Sequence, residues 1–201
     1  MKRGNGNNAV IRSAKIINII SASLMVVAGI LLMTITSMEE IVAQRIMLGI
    51  LFGLTGAAKI FGYFSNDLYR LAFQYDFAFG IFCEILSLLL ILSPTQNYEV
   101  LHLLLVVYVL MDALLKVQMS MDAKHFGMKC WGVILGTALG LVAAACFSAV
   151  AMQTQLVRAL VLVGLALAAD GVENCWITAY TVRIRAKKKN LFDRFGIEEE
   201  E

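Results

Sequence analysis

Seven ionisable side chains stand inside stretches that are otherwise apolar: Lys59, Asp76, Glu84, Asp112, Lys116, Asp170 and Glu173. In lipid such a group costs about 2.5 to 3.5 kcal/mol at a helix centre, so each needs a partner, a proton or a route to the interface. Asp112 and Lys116 are four positions apart, which places them on one helical face where they neutralise each other. Asp170, Glu173 and Asn174 share a face in the same way, and Lys59 is the cation expected opposite them. Lys59 and Lys116 lie near helix ends and can extend their ammonium groups toward the headgroups, and Asp76 is about a turn inside its helix. The chemistry open to Lys59, Glu84, Asp112, Lys116, Asp170 and Glu173 is of two kinds: a charge network that holds helices in register, or a pathway for protons or ions.

Enzyme chemistry has little to stand on. The chain contains no GxSxG, HExxH or GxxxxGK[ST] string, the arrangements that expose a nucleophile, hold a zinc ion or cradle phosphates. His102 and His125 are far apart and lack metal-ligand spacing. Cys83, Cys130, Cys146 and Cys175 all fall in apolar stretches without a CxxC pair, so they are expected to be small packing residues rather than a disulfide framework. The expectation is a protein that is not an enzyme, with no cofactor and no metal.

The elements that must position these groups follow from composition. Hydrophobic residues make up 60% of the 201 and charged residues only 16%, too few to cover a soluble domain, so the remaining surface must face lipid. Apolar runs fall at roughly 16–36, 42–64, 71–92, 98–119, 127–150 and 156–182. Each is near the roughly 20 residues that cross a hydrocarbon core of about 30 Å. They are apolar on every face, which excludes the alternating strands of a barrel and leaves helices to satisfy the backbone. The first run is too long for the apolar part of a cleavable signal, and an uncleaved anchor is expected. The fold class expected is all-α, with six transmembrane helices forming three hairpins over about 16–64, 71–119 and 127–182, between a cytoplasmic segment 1–15 and a charged tail 183–201.

Orientation follows from charge. With the amino terminus inside, 13 of the 17 Lys and Arg residues lie on the cytoplasmic side and only Arg45 and Arg158 on the other, Lys59 and Lys116 being within spans. Cytoplasmic loops retain positive charge, so both termini are expected in the cytoplasm. The run RIRAKKK at 183–189 is then a topology anchor that attracts anionic lipid. The terminal EEEE would repel nucleic acid, which is not expected as a partner.

Aligning LTGAAKIFGYF (54–64), LMDALLKVQMS (110–120) and AADGVENCWIT (168–178) suggests one helix pair written three times with a period of about 55 to 58 residues. Gly132, Gly136, Gly140 and Ala144 recur every four residues and form one small-residue stripe. Such a stripe lets two backbones approach closely. It is expected to pack within the monomer, with a homo-oligomer interface as the alternative.

The pieces FGIFCEILSLLLILSPTQ (79–96) and HLLLVVYVLMDALLKVQ (102–118), with looser copies in AGILLMTIT (28–36) and WGVILGTALGLVAA (131–144), resemble the HdeD-like acid-resistance membrane proteins. The resemblance covers 16–182 and implies a small bacterial plasma-membrane protein, non-catalytic, linked to tolerance of acid or other stress. The alternative on the residues themselves is a small proton-linked or solute transporter or channel that uses the intramembrane carboxylates.

Overall fold

The computed structural model describes residues 3–34, 41–64, 75–92, 98–153 and 155–195, and among them the chain is all-α. Six helices follow in order: α1 (Arg3–Thr34), α2 (Ile41–Phe64), α3 (Asp76–Leu92), α4 (Tyr98–His125), α5 (Trp131–Met152) and α6 (Leu156–Phe195). Five are long and apolar enough to cross a membrane, over Lys15–Thr34, Val42–Phe64, Tyr98–His125, Trp131–Met152 and Arg158–Tyr180. α3 has 17 residues, which at 1.5 Å each gives about 25 Å and puts it at the short end of what can span. The expected turns at 37–40 and 93–97, the connector 65–74 and the acidic end 198–201 lie outside the described residues.

Large apolar side chains point outward along the bundle, among them Leu88, Leu139, Phe147 and Leu165, all more than half exposed. A water-soluble protein would bury these, so the outer surface has the chemistry of a lipid-facing one. Inside, Leu48, Phe52, Leu90, Leu101, Leu105, Tyr108, Val109, Val163 and Leu167 form one continuous core.

The hairpins expected, α1 with α2, α3 with α4 and α5 with α6, are not the closest-packed pairs. α1 packs most extensively on α6, α2 on α3 and α4 on α5, whereas α3 and α4 barely touch. Glycines explain the first two pairings. A methyl group on Gly164 would meet the Gly29 carbonyl oxygen at 2.7 Å, and one on Gly171 the Ala22 carbonyl oxygen at 2.7 Å. Between α2 and α3, a methyl on Gly56 would lie 2.8 Å from the Gly80 carbonyl oxygen. Only hydrogen fits at these crossings, and the close approach supplies the van der Waals contact that holds helices together in lipid.

The α5 stripe does not behave in this way. Gly132, Gly136 and Gly140 have no neighbouring atom within 4 Å of where a methyl would sit, which corrects the expectation that they pack within the monomer. The seam that α5 buries is Ile134, Ala138, Leu141, Ala145 and Ser148. The glycines lie two positions off this seam, about 200° around a helix of 3.6 residues per turn, and so face away. Ala144 is different, being partly buried against the core.

The α4–α5 connector is built by hydrogen bonds. Gly127 N–H donates to the Lys124 carbonyl at 3.0 Å and Met128 N–H to the Ala123 carbonyl at 2.9 Å. This paired pattern closes a helix through a left-handed residue, and Gly127, at φ +69°, takes that conformation without a Cβ penalty. Across the turn, Ser120 Oγ donates to the Trp131 carbonyl at 2.8 Å, and the Lys124 ammonium lies 4.7 Å from the Trp131 ring centroid.

Candidate functional site

Tyr108, Asp112, Lys116 and Ser120 recur every four residues along α4, and all four are buried. This single polar stripe turns toward α6, whose Asp170 and Glu173 are also buried. Lys116 is the hub. Its Nζ lies 2.8 Å from Asp112 Oδ2 on its own helix, 3.1 Å from Glu173 Oε2, and in direct ion pairing with Asp170 Oδ1. An ammonium has three N–H donors, so three carboxylates are the most that it can satisfy.

Two of these carboxylates are held from a second direction. Asp170 Oδ2 accepts from Asn174 Nδ2 at 3.2 Å and from the Tyr108 hydroxyl at 3.5 Å. Glu173 Oε1 accepts the hydroxyl of Thr137, which brings α5 into the network. Tyr108 packs edge-on against Phe52 of α2, with ring centroids 4.6 Å apart, and against Phe79 of α3 at 5.4 Å.

A second ion pair stands nearby. Lys59 Nζ of α2 donates to Asp76 Oδ1 of α3 at 3.1 Å and faces the Phe79 ring at 5.1 Å from its centroid. Both residues are buried. Lys59 was expected opposite Asp170 and Glu173, or extended to the interface, and it does neither; Lys116 takes those two carboxylates. Asp76, which looked like a residue at a helix end, is the partner of Lys59. Both sit close to the connector that joins their helices, and equal depth on either side of a connector is the signal that would have paired them. Glu84 forms no ion pair in this network; its carboxylate lies against the α2 backbone, 2.9 Å from where a methyl on Gly56 would sit.

Between the two centres is a cavity of about 30 Å³, enough for one or two water molecules. Asn18 of α1, Lys59, Asp76, Asp112, Lys116 and Asn174 line it, so five helices contribute. Asn18 Nδ2 donates to Thr178 Oγ1 at 2.9 Å and ties α1 to α6 beside it. Tyr75, in the turn that leads into α3, also lines the cavity. Its hydroxyl donates to Asp122 Oδ2 at 2.9 Å. Partial burial, with that bond and the Asp122 charge, raises the Tyr75 phenol above its ordinary range.

Charge does not balance within the site. Two ammonium groups, Lys59 and Lys116, face four carboxyl groups, Asp76, Asp112, Asp170 and Glu173. Like charges 4 Å apart repel by about 4 kcal/mol even at an effective dielectric constant of 20. The arrangement therefore favours the uptake of positive charge.

Toward the other end of the bundle the shared interior turns apolar, with Leu101, Leu105 and Leu160 in the core. Ser87, His102 and Ser148, buried there, bond between neighbouring helices. Ser87 Oγ donates to the Gly49 carbonyl at 2.7 Å, and His102 Nε2 lies 2.7 Å from Ser148 Oγ, which donates to the Ala159 carbonyl at 2.8 Å. All four cysteines are free. Comparison of the chain with protein-family models, with curated proteins and with solved structures gives no match.

Proposed function

We propose that this polytopic membrane protein is non-catalytic and acts in tolerance of acid or related envelope stress, by taking up protons on the buried cluster around Lys116. The observation that supports it is the excess of four carboxyl groups over two ammonium groups in one enclosed site. Carboxyl groups in surplus have no buried counter-ion to meet, and a proton arriving from an acidified side neutralises them at no cost in packing. The resemblance to HdeD-like proteins points the same way. In this reading the protein sits in a bacterial plasma membrane with both termini in the cytoplasm, and the cavity is on the cytoplasmic side.

A second reading, a small proton-linked or solute transporter, is favoured by the cavity that five helices share. Against it, Ser87, His102 and Ser148 on the far side of Tyr108 bond to neighbouring helices and not to the cluster. Two measurements separate these readings. Purified protein titrated from neutral to acidic pH should bind more protons than an Asp112→Asn/Asp170→Asn variant, and a strain lacking the protein should lose survival in acid that the wild-type chain restores and the variant does not. Equal proton uptake and equal survival would remove the acid-tolerance reading. Proton flux into proteoliposomes, coupled to a solute or not, would establish transport in its place.

A further inference from the structure

Of the seven ionisable side chains inside the apolar stretches, the two ion-pair centres use six and leave Glu84. It stands midway along α3, about 12 Å along the axis from either end, too deep for a glutamate side chain to reach an interface. Its stem lies on the glycine surface of α2. A methyl on Gly56 would meet its Cγ at 3.1 Å and its Oε1 at 2.9 Å, and one on Gly53 its Oε2 at 3.8 Å. Donors on the adjoining turns are committed elsewhere: Ser87 Oγ to the Gly49 carbonyl, Thr55 Oγ1 to the Leu51 carbonyl and Lys59 Nζ to Asp76. Among the described residues no hydrogen bond or ion pair holds the Glu84 carboxyl group.

The medium that this carboxyl group meets follows from its neighbours. On one side of Glu84, α3 buries Gly80, Cys83 and Ser87; on the other it exposes Ile81, Ile85 and Leu88, and Glu84 is partly exposed at the boundary. The exposed stripe of α2 beside Gly53 is Ile50, Leu54 and Ala57. The rim of the groove is thus apolar, and lipid lies against it. Asp76, Asp112, Asp170 and Glu173, by contrast, are buried and held by lysines. We infer that Glu84 is a lipid-accessible acid site on the α2–α3 face, separate from the cluster around Lys116, and that bilayer-dissolved carboxyl-reactive compounds of the carbodiimide class modify the protein there. The neutral acid is the form that a carboxyl group takes in an apolar medium. Its oxygen bonds to the central carbon of the carbodiimide while its proton passes to a nitrogen, giving an O-acylurea. The acyl group then shifts from oxygen to a nitrogen of the reagent, and the stable N-acylurea keeps every atom of both partners.

The site stands independently of proton uptake at the Lys116 cluster. To test it, the full-length protein in nanodiscs is treated with dicyclohexylcarbodiimide or with a water-soluble cationic carbodiimide, and adducts are located by peptide mass spectrometry. Dicyclohexylcarbodiimide should add its mass at Glu84, in large excess over Asp112 and Asp170, and the cationic reagent should leave Glu84 unlabelled. Glu84→Gln should lose the adduct. If that variant does not fold, the position of the adduct on the wild-type chain decides the matter by itself. No adduct at Glu84 with the lipid-soluble reagent would mean that a second copy of the chain or another protein covers the carboxyl group, and overturns the site. Equal labelling of Asp112 and Asp170, or labelling of Glu84 by the cationic reagent, overturns its assignment to the lipid phase.

Discussion

Lys116 and Asp170 lie 54 positions apart and form an ion pair whose side chains are 2% and 1% exposed. The pair bonds α4 to α6 inside the bundle. Removing one member of a buried pair typically costs about 3 to 5 kcal/mol, because the other is left charged and unpaired. Lys116→Met should therefore be the most destabilising single change in the network, by about that amount, since it strands three carboxylates. Asp112→Asn should cost less, because Lys116 keeps Asp170 and Glu173. Denaturation midpoints in mixed micelles would compare them. A Lys116→Met/Asp170→Asn double variant should recover part of the loss, and strict additivity would show that the two residues do not interact.

Glycines provide a contrast within one protein. Gly164→Ala places a methyl 2.7 Å from a carbonyl oxygen of α1, and overpacking of this kind costs about 1 to 3 kcal/mol. Gly136→Ala meets nothing within 4 Å and should stabilise α5 by about 0.5 to 1 kcal/mol through helix propensity. Thermal melts of the two single variants give opposite signs on this account. A destabilising Gly136→Ala would reveal a partner on that face of α5.

Alkaline stability should depend on Tyr75. Its phenol is raised in the folded protein, so the folded state holds the proton more tightly than the unfolded chain. The stabilisation is fully present below the unfolded pKa of about 10 and is lost as pH climbs through the folded value. Melting temperatures measured from pH 9 to pH 11 should fall less steeply for Tyr75→Phe than for wild type. Parallel curves would mean that the Tyr75–Asp122 bond contributes nothing to stability.

Topology can be tested without purification. Reporter fusions at Asn97 and Gln153 should behave as external, and fusions after Lys124 as cytoplasmic, if the positive residues remain inside. The reverse pattern would invert the orientation and put the cavity on the outer side.

Much of this architecture is legible in the sequence, and the limits have physical causes. Long runs apolar on every face have one solution in lipid, so the helices follow directly from residue type. The Asp112–Lys116 pair is local and follows from four-residue spacing. The partners of Asp170, Glu173 and Lys59 are set by which helices become neighbours, and hydropathy carries no information on that. Gly132, Gly136 and Gly140 form the most regular small-residue pattern, yet Gly29, Gly164 and Gly171 do the close packing. Regularity marks a smooth surface; it does not say what lies against it.

The pairing of α1 with α6 also bears on how the protein is made. Of these six helices, the one that leaves the ribosome first has its most extensive contacts with the one that leaves last. Until α6 enters the bilayer, Gly29 lacks the carbonyl it packs against and Asn18 lacks Thr178. Lys116 waits equally for Asp170 and Glu173, with Asp112 as its only companion in the meantime. Contacts so distant in sequence form late, since the loop between them must close before they yield any stability. Insertion of α6 is thus the step that locks these six helices together, and truncation just before Leu156 should leave a chain exposed to quality-control proteolysis.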